Sequence, residues 1–134
     1  MKLIICLDDK NGMLFNKRRQ SRDSVLNEKV ISIAEGSRLL MNAYSAKLFA
    51  DFNVTVDEEF LSLAEKNDFC FCEKAVDSLE NVEKIYVFRW NRHYPSDTVF
   101  SFDLEHEGYS LESTEEFAGS SHDKITLDIY TKGE

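Results

Sequence analysis

The residues best suited to chemistry in this chain are charged, and they are segregated by sign. Between positions 10 and 22 stand five basic residues, Lys10, Lys17, Arg18, Arg19 and Arg22, with no acid among them. Arg18 and Arg19 lie between a first apolar segment and the start of an amphipathic helix. There, guanidinium groups and unpaired helix N–H groups can converge on an anion such as a phosphate. This predicts a small-anion site at the 10–22 loop, built from Lys17, Arg18, Arg19 and Arg22. Asp23 follows directly, a weak candidate for general acid work, because a lone carboxylate at a helix start more often serves as an N-cap. The opposite sign rules between 93 and 123, where Asp97, Asp103, Glu105, Glu107, Glu112, Glu115, Glu116 and Asp123 occur without one Lys or Arg. Two single-sign patches can steer and register a partner, or can simply be solvated or face each other within the fold. The expected protein contact is the acidic face carrying Asp103, Glu105, Glu107, Glu112, Glu115 and Glu116.

Other reactive side chains have plainer readings. Trp90, flanked by Arg89 and Arg92, either packs at the sheet edge or stacks on a ligand, with Arg92 beside it. His93, His106 and His122 are placed in solvated loops. Their spacing completes no metal site, and the dense histidine cluster of a di-zinc hydrolase is absent. Cys6, Cys70 and Cys72 read as buried structural thiols, since zinc needs about four ligands and two cysteines two apart in a strand have poor disulfide geometry.

These side chains must be positioned by one domain spanning residues 1–134. At 134 residues, with 43% hydrophobic content, ten Phe, one Pro and five Gly, the chain can bury a real core without staples. Its formal charge of −9 argues against bulk nucleic-acid binding. No stretch approaches the length of a bilayer span and the N-terminal apolar run is too short for a signal peptide, so no membrane association and a cytoplasmic location are expected.

Leu3 to Leu7 is a continuous apolar run, the pattern of a strand covered on both faces, and Asp9-Lys10-Asn11-Gly12 breaks it. Leu26, Val30 and Ile33 predict a helix from Ser24 to Glu35, capped by Ser21 or Asp23 and stopped at Gly36. Arg38–Met41 predicts a strand and Tyr44–Phe52 a short helix. A capping box at Thr55 and Glu58 predicts a third helix, and Ala75–Leu79 a fourth. Phe69–Cys72 and Ile85–Phe88 are further buried strands. Strands alternating with helices imply a mostly parallel sheet with helices on both faces. Gly108–Phe117 and Lys124–Thr131, joined near Gly119-Ser120-Ser121, predict an antiparallel C-terminal hairpin.

Read in order, several segments resemble dihydrofolate reductase. Ile85-Tyr86-Val87-Phe88-Arg89, Ser96-Asp97-Thr98-Val99-Phe100, Tyr109–Ser113 and Ile125–Tyr130 are similar to the strand, Gly-Asp-Thr-x-Phe segment and closing hairpin of that family. Asp9–Gly12 looks like its opening, and Leu39-Leu40-Met41-Asn42 with Tyr44-Ser45 looks like its Met-Gly-Arg-x-Thr-Tyr segment. The resemblance implies a divergent, truncated dihydrofolate-reductase-like domain over nearly the whole chain. It places a ligand cleft between Gly12, Asp23, Asn42 and Cys72.

The departures fall on ligand positions. Cys72-Glu73 stands where the family has the Gly-Gly pair that lets backbone approach the cofactor pyrophosphate. Asn42-Ala43 replaces Gly-Arg, and a strand with a basic loop is missing before Asp57. Asp23 is the best match to the family's pterin-holding acid, but Phe88 replaces the supporting Thr, and Lys17–Ser21 replaces Leu-Pro-Trp. The expectation is a non-catalytic binding protein that has lost its NADPH site and takes no cofactor, such as an acidic inhibitor or immunity-type protein. The alternative is a small divergent NADPH-dependent reductase, or an enzyme acting on a phosphorylated small molecule through Arg18, Arg19 and Asp23.

Overall fold

A computed structural model describes residues 1–133. The element order is β1 (Lys2–Leu7), β2 (Gly12–Phe15), β3 (Arg18–Arg19), α1 (Ser24–Ile33), β4 (Leu39–Met41), α2 (Ala43–Ala46), a 3-10 turn (Lys47–Phe49), β5 (Thr55–Val56), α3 (Phe60–Leu63), β6 (Phe69–Phe71), β7 (Lys84–Arg89), β8 (Thr98–Val99), β9 (Tyr109–Phe117) and β10 (Ile125–Lys132). Seven strands form one sheet in the order β5-β4-β6-β1-β7-β10-β9. Its left part is parallel, with β1 paired in register to both β6 and β7. β10 runs antiparallel to β7 and to β9, closing the sheet with the hairpin expected from the alternation at its end. The mostly parallel α/β architecture therefore follows the sequence pattern.

The apolar run of β1 is explained by its central place. Leu3, Ile5 and Leu7 enter a core on one face with Phe60, Cys70, Val87 and Tyr109, while Ile4 enters a second core on the other. Alternate side chains of a strand point to opposite faces, so a strand covered on both sides must be apolar throughout. Leu26 and Val30 of α1, one turn apart, pack into the second core with Phe49, Phe71, Phe88, Trp90, Ile125 and Leu127. Phe49 meets Phe71 edge-on, ring centroids 5.2 Å apart. Helix α1 ends before Gly36, whose φ of 84° lies where a side chain would be strained.

The connections differ from expectation at three places. Ala75–Leu79 is not helical; Val76 and Leu79 instead pack irregular backbone against the first core. The third helix is four residues long and no side chain caps it. Thr55, expected in a capping box, pairs with Leu40 in β5, while Glu58 turns away and accepts from the Ala43 N–H at 2.8 Å, serving α2 instead. The competing partner was a helix distant in sequence, which local spacing does not reveal. A second sheet of three strands, β3-β2-β8, was also unforeseen. It makes the basic 10–22 segment and the acidic 93–123 segment neighbours: Gly12 and Leu14 pair with Val99 and Thr98, and Asp97 accepts from the Asn16 N–H at 3.0 Å.

Among the described residues no helix is long and apolar enough to cross a membrane. All three cysteines are free. Burial pushes the Cys70 thiol up to about 12 and the Cys72 thiol up to about 11, so both are held protonated as core packing.

Candidate functional site

The cleft at the carboxyl ends of β1 and β6 is where an open α/β sheet of this kind offers a ligand site. Here it is filled by an ion pair. Arg19 reaches across from β3 and meets Glu73 with both nitrogen arms, Nε to Oε2 at 2.8 Å and Nη2 to Oε1 at 3.0 Å. The guanidinium also lies 4.2 Å from the centre of the Tyr44 ring and donates to the Tyr44 carbonyl at 3.3 Å. Ser45 Oγ donates to Glu73 Oε1 at 2.7 Å, and the Arg19 N–H donates to the Tyr44 hydroxyl at 3.0 Å. Burial opposes the charge, but the hydrogen bonds that Arg19 donates to Glu73 and the opposite charge there outweigh it and raise the Arg19 pKa further. Behind the pair, among Cys6, Met13, Cys72 and Trp90, the remaining cavity is about 10 Å³. That is the space of about one water, against the hundreds of Å³ that a drug-sized ligand occupies. Arg19 was expected in an anion site with Arg18; the structure assigns it an internal anion instead.

Asp23 is also consumed internally. It is the N-cap of α1, with Oδ1 accepting from the Val25 and Leu26 N–H groups at 3.0 and 3.2 Å. The loop between β9 and β10 folds onto the same carboxylate: Ser120 N–H donates to Oδ1 at 3.0 Å, Ser121 N–H to Oδ2 at 2.9 Å and His122 Nδ1 to Oδ2 at 3.0 Å. Burial alone would raise this carboxyl, but the donors from Ser121, Ser120, His122 and Leu26 overcome it and hold it well below the usual carboxylate range. Gly119 makes the approach feasible, since a Cβ there would overlap the Asp23 carboxylate. The Ser24 N–H is taken by Ser120 Oγ at 3.0 Å, so the helix N-terminus expected to receive a ligand anion is filled by the chain itself.

His122 was expected in solvent and is buried, at 6% exposure. Its ring stacks on Trp90, centroids 4.6 Å apart, so Trp90 packs at the end of β7 rather than at the sheet edge. Its Nε2 meets Ser21 Oγ at 3.0 Å and the Tyr94 hydroxyl at 3.3 Å. Ser21, His122 and Asp23 thus stand in the order of a nucleophile, base and orienting acid. The cavity that Ser21 lines is about 10 Å³, too small for a substrate, and the arrangement joins the α1 entrance to the β9–β10 loop as a polar clasp. Sequence reasoning missed it because Ser21 and His122 are a hundred residues apart.

A second buried carboxylate was also missed. Asp8 ends β1 and accepts from the N–H groups of Lys10 and Gly12 at 2.9 and 2.7 Å, from Gln20 Nε2 at 3.0 Å and from the Tyr94 N–H at 3.2 Å. Burial would raise it, but the donors from Gly12, Lys10, Tyr94 and Gln20 lower it on balance. An Asp directly before the Asp9-Lys10-Asn11-Gly12 turn is the available signal.

The remaining candidates separate. Asn42 is the N-cap of α2, its Oδ1 accepting from the Ser45 N–H at 2.9 Å. Lys17, Arg18, Arg22 and Arg92 are exposed, and no carboxylate lies within ion-pair distance of them among the described residues. On the acidic side, Glu112, Glu115 and Glu116 of β9 each have a lysine within reach, Lys84, Lys29 and Lys124. Asp103, Glu105 and Glu107 in the turn before β9 are exposed with no such partner among the described residues.

No protein-family model matches the chain, and no curated protein matches it in sequence. A solved structure of dihydrofolate reductase from Enterococcus faecalis, complexed with NADP(H) and RAB-propyl, superimposes with a TM-score of 0.72 over 99% of this chain and 96% of that one, at 11% identity. The fold is that of dihydrofolate reductase. At that identity the likeness concerns the dihydrofolate-reductase-like backbone. Of the cleft side chains described above, Arg19, Glu73 and the Asp23–His122 clasp are what this chain has placed on it.

Proposed function

We propose that this chain is a non-catalytic binding protein on a dihydrofolate-reductase-like scaffold, and that its acidic 93–123 face receives a basic protein partner in the manner of an inhibitor or immunity protein. The observation that carries the reading is the closed cleft: an ion pair and a residual cavity of about 10 Å³ stand where a reductase needs room for two ligands. The runner-up, an enzyme working through Arg18, Arg19 and Asp23, loses two of its three groups to internal partners. The acids of the 103–107 turn are exposed and, among the described residues, have no cationic side chain within ion-pair distance, so they are open to a partner's cationic side chains.

The test is capture from the native host. Tagged protein should retain a basic partner at about 50 mM salt and release it at about 500 mM, because screening weakens exposed charge pairs. Glu105→Lys with Glu107→Lys should abolish retention while leaving the circular dichroism spectrum unchanged. A saturable quench of Trp90 fluorescence by NADPH, or capture indifferent to both salt and the charge reversal, would remove this reading.

A further inference from the structure

The β2–β3 hairpin borders a second site, whose wall shares Arg19 and Gln20 with the closed cleft. Beside it lies an open groove of about 520 Å³, of the size that small-molecule sites have. Its walls bring together three features. Phe15, Tyr94 and Pro95 line it, and Phe15 stands 43% exposed, an apolar ring displayed to water. Arg18 lines it too, the member of the arginine pair that keeps its guanidinium exposed and, among the described residues, without a carboxylate partner. Gln20 completes the wall. Its Nε2 is committed to Asp8 and to the Pro95 carbonyl, which fixes the amide's orientation, and its Oε1 is buried without a donor.

The backbone supports display of these groups. Asn16 and Lys17 at the hairpin tip both have positive φ, 51° and 62°, the two-residue turn that keeps β2 and β3 twisted together. Asn tolerates that conformation and Lys does so at a cost, and such strain concentrates where a loop is held in a set geometry. Asp97 accepts from the Asn16 N–H and secures the tip. No acidic side chain lines the groove, on a protein of net charge −9.

From these we infer that the hairpin groove binds a planar aromatic ring that carries an anionic group, the chemistry of a purine nucleoside monophosphate. The ring lies against Phe15 and Tyr94, and the anion meets the fork of Arg18. The inference goes beyond the acidic-face reading, and neither outcome of the capture experiment bears on it.

The test is nuclear magnetic resonance titration of the 15N-labelled full chain with AMP, adenosine and inorganic phosphate separately. AMP should shift the amides of Phe15–Gln20 and Tyr94 saturably. Adenosine and phosphate alone should each bind at least about tenfold more weakly, since each satisfies only part of the site. Arg18→Ala and Phe15→Ser, both at exposed positions and checked for an unchanged spectrum elsewhere, should each weaken AMP by about tenfold. No saturable shift at about 10 mM AMP, equal affinity for phosphate alone, or an unaltered response in Arg18→Ala would overturn the assignment.

Discussion

At the scale of single residues, two carboxylates decide what the cleft and the clasp can do. Glu73 is paired with Arg19 at 10% and 18% side-chain exposure, so removing one member strands the other in a poorly solvated site. Glu73→Ala should cost about 3 kcal/mol in urea unfolding, and a cycle with Arg19→Ala should give a coupling energy of about 1–3 kcal/mol. A coupling near zero would mean that the pair fills the cleft without holding it. Asp23 makes a pH-dependent statement. Its folded pKa is depressed, so the stability it contributes is present above the ordinary carboxyl pKa of about 4 and is lost as pH falls toward the folded value. Asp23→Asn should therefore be less stable than the native chain by about 2 kcal/mol at pH 7, and the gap should close on acidification below about pH 4. A gap constant from pH 7 to 3 would show that the carboxylate's charge is not what the Ser120–His122 loop recognises. Asp23 as the N-cap was legible in the sequence, because capping is decided by the next few residues. Its second set of donors was not, because they come from the other end of the chain.

At the scale of elements, the long strands are more legible in the sequence than the short strands and connections, and the reason is packing. β1, β7 and β10 announce themselves by continuous or alternating apolar residues, since each side chain's face is set by the two-residue period. The short connections carry no such signal: Ala75–Leu79 has enough apolar character to suggest a helix, but Val76 and Leu79 meet the first core from irregular backbone. The element that most repays testing is the 3-10 turn Lys47–Phe49. It is too short to persist by itself, and its place depends on Phe49, 1% exposed and edge-on to Phe71 over the sheet. Phe49→Ala should cost about 3–5 kcal/mol by denaturant unfolding, whereas Phe52→Ala, three residues on and 40% exposed, should change stability by less than about 1 kcal/mol. Equal costs for the two would mean that the turn is held by its backbone bonds rather than by the buried ring.

At the scale of the whole molecule, the chain is tied together by partners remote in sequence. β1 sits in the middle of the sheet between β6 and β7, and the last strand, β10, covers the other side of β7 along Lys84–Thr131, Tyr86–Ile129 and Phe88–Leu127. The C-terminal hairpin therefore does three things at once. It supplies Ile125 and Leu127 to one core and Tyr109 to the other, it satisfies the outer edge of β7, and its loop brings Ser120, Ser121 and His122 to Asp23 at the entrance of α1. A hairpin that merely extended a sheet could be removed with local loss only. One that closes both cores and caps a helix more than ninety residues upstream should be part of the same cooperative unit. Truncation after Glu107 should leave a chain without dispersed amide resonances and without a cooperative thermal transition. A milder change, Gly119→Ala, drives a methyl group toward the Asp23 carboxylate and should lower the melting temperature of the whole domain in one transition, by several degrees. If Gly119→Ala instead produced a second, earlier transition with α1 and the hairpin melting apart from the sheet, the clasp would be a local ornament, and the parallel half of the sheet would be stable on its own.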